Sequence, residues 1–148
     1  MPKSKPLSLT ITRTFNAPRA LVWKAWTDDT MLRKWSCPNG FEIIFSEGEL
    51  KVGGKFRSTM KSAQFEGTVV GVYKEIDEPK KLVFTHAWEQ EDDGGHDDET
   101  LVTVELIDQG AKTEMIFTQT GFTSKGSRDG HEGGWSECFD KLSLQLSH

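Results

Sequence analysis

The sequence predicts an α+β fold: a curved antiparallel sheet of six to seven strands, closed by one long C-terminal helix, with two short helices after the first strand. Three observations carry this. Strand-like patterns run almost unbroken from residue 41 to 120. Helical spacing of apolar residues is confined to the segment after residue 15 and to the closing stretch 129–146. Neither a linker nor an internal repeat interrupts the 148 residues, so residues 1–148 are expected to form one domain. Strands and helices segregated in this way stack helix on one face of an antiparallel sheet.

The elements follow in order. In "LSLTITRTF" (7–15), Leu7, Leu9, Ile11 and Phe15 share one face of a strand, with Arg13 as the exception. In "NAPRALVWKAWTD", Asn16 is placed to cap a helix and Pro18 suits its first turn. Leu21, Val22, Ala25 and Trp26 recur at helical spacing, and Asp28-Asp29-Thr30 breaks the run. "MLRKW" (31–35) makes a second short helix, stopped by Pro38-Asn39-Gly40. Strands are then expected at 41–45, 53–62, 64–76, 81–89 and 100–107. The turn "QGAK" leads into another at 113–122, giving a hairpin. In the closing stretch, Trp135, Cys138, Phe139, Leu142 and Leu146 form one helical stripe. The glycines before Trp135 are read as a flexible lead-in to that helix, and Gly67 and Gly71 as sites of bulges or bends.

Composition narrows the function. Hydrophobic residues make up 35% and charged residues 28% of the chain, a globular balance. No apolar run approaches membrane-spanning length, and no apolar region follows the two N-terminal lysines, so a cytoplasmic protein with no membrane insertion is expected. The net charge of −5 is local: seven acids lie in "EQEDDGGHDDE" (89–99), and the remainder is slightly positive. Neither part is a nucleic-acid footprint. Cys37 and Cys138 are read as reduced thiols, and the four histidines are scattered, so no metal or cofactor is expected.

Six segments in order carry a resemblance: "FNAPRALVWKAWTD", Trp35 to Pro38, "VGGKF", "GVYKEIDEPKKLVFTHAW", "ETLVTVEL" and "GGWSECFDKL". From about Thr10 to Leu146 the chain resembles the family named after the activator of heat-shock-protein-90 ATPase, within the START/Bet v 1-like (SRPBCC) superfamily. Where that family commonly shows Trp-Trp-Gly-Pro, this chain reads Trp35-Ser36-Cys37-Pro38. The resemblance implies a helix-grip fold. Related superfamily members bind lipids, hormones or polyketides, and some aromatase/cyclases close rings in the cavity. It implies no universal catalytic set.

One helix cannot cover so broad a twisted sheet, so a space between them is expected. Its ligand-lining residues are expected to be Trp35, Phe56, Phe84, His86, Trp88, Met115, Phe117, Trp135 and Phe139. On strand 81–89, Leu82, Phe84, His86 and Trp88 share one side, and Val83, Thr85 and Ala87 the other; alternation does not say which is inward. A cavity-facing His86 would anchor a polar group or move a proton; a satisfied structural histidine is the plainer reading. Arg57, Glu66 and His131 are weaker candidates. No catalytic residue is assigned. The function expected is non-catalytic binding of a small hydrophobic or aromatic molecule. The alternatives are a cavity enzyme of the cyclase/aromatase kind and a stress or chaperone interaction module using the acidic stretch. Exposed strand edges and an unpaired Trp35 corner suggest a homodimer.

Overall fold

The structure, a computed structural model, describes residues 7–89 and 96–146, with the backbone alone at 96–98. Most of the acidic stretch 89–99 therefore lies outside the described residues. Strand β1 (Leu7–Phe15) is followed by helices α1 (Arg19–Thr27) and α2 (Asp29–Trp35). Strands β2 (Glu42–Gly48), β3 (Lys55–Lys61), β4 (Glu66–Asp77), β5 (Lys81–Glu89), β6 (His96–Gln109) and β7 (Lys112–Phe122) come next, then helix α3 (Lys125–Leu146). All seven strands form one antiparallel sheet in the order β1-β7-β6-β5-β4-β3-β2. Neighbours in sequence pair as hairpins from β2 to β7, and β1 returns to close on β7, leaving β1 and β2 as edges.

Local chemistry accounts for most boundaries. Pro18 sits at the N-cap of α1, not inside its first turn, so Asn16 does not cap the helix. Asp28 ends α1 and caps α2, its carboxylate accepting from the Met31 N–H at 3.1 Å. Arg13, the polar exception in β1, reaches over to α3, donating to Asp140 at 2.8 Å and to the Ser136 carbonyl at 3.1 Å. The inward row of β1 is thus stapled to the helix.

Helix α3 differs from expectation. It starts at Lys125 and takes Gly126, Gly130, Gly133 and Gly134 into its regular turns. Each glycine costs such a helix about 1 kcal/mol relative to alanine. Tertiary packing overrides that cost. The buried stripe of Cys138, Phe139, Leu142 and Leu146 anchors the C-terminal half. At the other end the Ser124 hydroxyl accepts from the Ser127 N–H at 3.1 Å, capping the first turn.

The strand glycines also act otherwise than expected. In the β4–β5 pair the register shifts between Tyr73 and Glu75, away from both glycines. Gly67 instead makes room for the rings of Phe65 and Trp88, which would lie 2.7–2.8 Å from any Cβ there. Gly71 makes room for the Phe56 ring and the Thr85 carbonyl.

Candidate functional site

Helix α3 packs chiefly on β1, at one end of the sheet, while α1 lies on β6 and β7 and α2 on β2 and α3. The concave face of β3, β4 and β5 therefore has no helix packed closely against it. Between that face and the first half of α3 lies a cavity of about 470 Å³. Two rows of α3 line it: Gly126, Gly130, Gly134 and Cys138 on one, Ser127, His131 and Trp135 on the other. A Cβ added at Gly126 or Gly130 would meet nothing within 4 Å. The space exists partly because one of these two rows is glycine at three of its four positions.

Of the two sides of β5, the one bearing Leu82, Phe84, His86 and Trp88 lines the cavity. Val83, Thr85 and Ala87, on the other side, are buried too, which is why hydrophobicity alone could not choose.

Five of the nine residues expected to line the site come together on its wall: Phe56, Phe84, His86, Trp88 and Trp135. The other four do not. Trp35, Met115, Phe117 and Phe139 are each 0% exposed and belong to the solid core. The reason is layering. Trp26 and Trp135, both on the wall, pack against the core rings, with centroids 4.7 Å apart for Trp26–Trp35 (edge to face) and for Trp135–Phe117 (tilted). Trp35 is also not an open corner: it is fully buried, and its indole N–H donates to the Ala25 carbonyl at 3.0 Å.

Polar groups around the cavity form two chains. The Trp135 indole donates to Gln119 Oε1 at 2.8 Å; Gln119 Nε2 donates to Thr100 Oγ1 at 2.8 Å, and that hydroxyl to the His86 carbonyl at 2.9 Å. The second chain ties β5 to α3. Trp88 Nε1 donates to His131 Nε2 at 3.0 Å, and His131 Nδ1 donates to the Ser127 carbonyl at 2.7 Å. An indole N–H can only donate and a carbonyl can only accept, so these two bonds select the Nδ1–H tautomer of His131. Gln119 and Thr100 were not singled out by the sequence. Their signal was a glutamine in the otherwise apolar inward row of Met115 and Phe117.

His86 stands between these chains. It is 7% exposed, with the rings of His131 and Trp135 each 5.8 Å away. Burial, then the neighbouring His131, pushes its pKa down to about 3. It is neutral at physiological pH and a weak proton acceptor. Burial also pushes the Cys138 thiol up to about 12, with Lys141 opposing. Arg57 reaches the rim, but Glu89 holds its guanidinium with bonds of 3.1 and 2.6 Å, and Glu66 is exposed at the start of β4. His86 and Arg57 thus line the same cavity, with the Arg57 guanidinium already paired to Glu89. Among the described residues no group of three His, Cys, Asp or Glu is placed to hold a metal, and no helix is long and apolar enough to cross a membrane.

Comparison with known proteins agrees with this architecture. The family model described as Activator of Hsp90 ATPase homolog 1-like protein matches residues 16–146. The crystal structure of an AHSA1 protein from Silicibacter pomeroyi superposes with a TM-score of 0.84 at 22% identity, covering 95% of this chain and 98% of that one. A solution structure of a protein from Arthrobacter aurescens gives 0.85 at 27% identity, covering 95% and 86%. A crystal structure from Chromobacterium violaceum gives 0.83 at 20% identity, covering 95% and 97%. No curated protein matches the sequence.

Proposed function

The chain belongs to the activator of Hsp90 ATPase homolog 1-like family, and from that premise we propose that it binds a small hydrophobic or aromatic molecule between sheet and helix without transforming it. The single observation that carries this is the cavity of about 470 Å³, walled by Trp26, Phe56, Tyr73, Phe84, Trp88 and Trp135. That volume and an aromatic wall with few polar groups suit a compact apolar ligand. The reading as a non-enzyme is supported by the protonation chemistry. The one histidine on β5 is held neutral, the wall cysteine is held as a thiol, and neither is hydrogen-bonded to a partner that would activate it.

The test is native mass spectrometry of protein purified from its own host, with titration of the neutral dye N-phenyl-1-naphthylamine. Expected are a co-purifying small molecule and micromolar dye binding that Gly130→Trp abolishes. Protein that arrives empty and binds no apolar probe at micromolar concentration overturns the reading.

A further inference from the structure

We propose, resting on the cavity-binding reading above, that the ligand is an uncharged ring compound bearing a hydroxyl or carbonyl group, and that the His86 imidazole is the hydrogen-bond partner of that group. Buried polar groups in folded proteins are almost always paired. Around His86 every neighbour is already engaged: Trp88 with His131, Trp135 with Gln119, Gln119 with Thr100, and His131 with both Trp88 and Ser127. Thr100 spends its proton on the His86 backbone carbonyl, not on the ring. Apart from a bond to its own main chain, which takes up one ring nitrogen, the imidazole is neither donor nor acceptor to any described residue. Yet the ring is more than nine-tenths buried and lies on the cavity wall. The unpaired Trp26 Nε1 is fully covered, so it does not compete for a group inside the cavity.

The charge of the ligand follows from the same wall. A neutral imidazole presents one N–H and one lone pair, which a hydroxyl meets as acceptor or donor and a carbonyl as acceptor. Burial keeps His86 in that neutral form. The charged side chains at the cavity are at its rim. Asp29 is held by Arg33 and Ser46, Arg57 is held by Glu89, and Glu47 is exposed. An ionised ligand drawn in to His86 would be desolvated with no counter-charge beside it.

The experiment compares naphthalene, 2-naphthol and 2-naphthoate by tryptophan quenching, on the full chain and on His86→Leu. On the wild type, 2-naphthol is expected to bind about tenfold tighter than naphthalene, the worth of one hydrogen bond. 2-Naphthoate is expected to bind weakest. His86→Leu should erase the advantage of 2-naphthol and leave naphthalene within about twofold. The wild-type comparison needs no variant, so a misfolded substitution does not blunt it. Equal binding of naphthalene and 2-naphthol, or an advantage that survives in His86→Leu, overturns the assignment of His86 and leaves the cavity reading standing. Tightest binding of 2-naphthoate overturns the uncharged ligand class. Failure of all three to bind removes the cavity reading and this assignment together.

Discussion

The Trp135 indole donates to Gln119 Oε1 at 2.8 Å, and through that one bond a ring on the cavity wall is fixed to a side chain sealed inside the sheet. Gln119 in turn donates to Thr100 at 2.8 Å. Replacing it with leucine would strip the partly buried Trp135 indole of its acceptor. We expect Gln119→Leu to cost about 1–3 kcal/mol, from the lost bonds to Trp135 and Thr100. Urea unfolding followed by tryptophan fluorescence measures it. An unchanged midpoint would show that the chain from Trp135 to His86 contributes nothing to stability.

The glycines of α3 give opposed effects by position. Gly133 is exposed and Gly130 faces the cavity, and a Cβ at either meets nothing within 4 Å. Alanine at either position should therefore raise stability by about 1 kcal/mol through helix propensity. Gly130→Leu should remain folded and lose apolar-probe binding, while Gly133→Leu keeps it. Equal binding by the two leucine variants would place the ligand elsewhere.

Gly71 has no such tolerance. A methyl group there collides with the Thr85 backbone carbonyl and the Phe56 ring, and the carbonyl cannot rotate away. Gly71→Ala should destabilise by about 1–3 kcal/mol, the usual cost of overpacking. Thermal denaturation would expose an error if the variant melted with the wild type.

His86 makes stability depend on pH. Its folded pKa lies at about 3, below the ordinary value of 6.5 that the unfolded chain retains. Above that ordinary value both states are neutral and stability is full. As pH falls through the window down to about 3, the unfolded chain binds a proton that the folded one refuses. Each pH unit then costs up to about 1.4 kcal/mol. Between pH 7.5 and 5.0 the wild type should lose about 2 kcal/mol more than His86→Phe. Parallel losses in urea titrations would remove His86 from the account.

Both thiols should be inert in the folded protein. Cys37 and Cys138 are free and buried, and burial raises the pKa of each, to about 12 for Cys138. A thiol, not a thiolate, meets any reagent near neutrality. Ellman's reagent should react slowly with native protein and titrate both residues in denaturant. Rapid native labelling of either would contradict the burial described.

Much of this molecule is legible in the chain. The alternation through Leu9, Ile11 and Phe15 places β1, and its buried residues are those the period predicts. The stripe Cys138, Phe139, Leu142 and Leu146 marks the buried face of α3 by its spacing alone. Such patterns are local: a period of two or 3.6 states which residues share a side, whatever that side meets.

Residue spacing therefore establishes the sides of each strand and the helix that closes the sheet, while the family rests on the resemblance of six segments in order. What each side faces is set by long-range packing. Phe84 and Phe117 read alike in sequence, but one lines a void and the other is sealed behind Trp135. The difference arises because α3 rests on β1 and leaves β3 to β5 uncovered, a relation between distant segments. The same relation turned a glycine run that reads as loop into regular helix. Packing of the far half of α3 outweighs about 1 kcal/mol per glycine, and no local propensity carries that information.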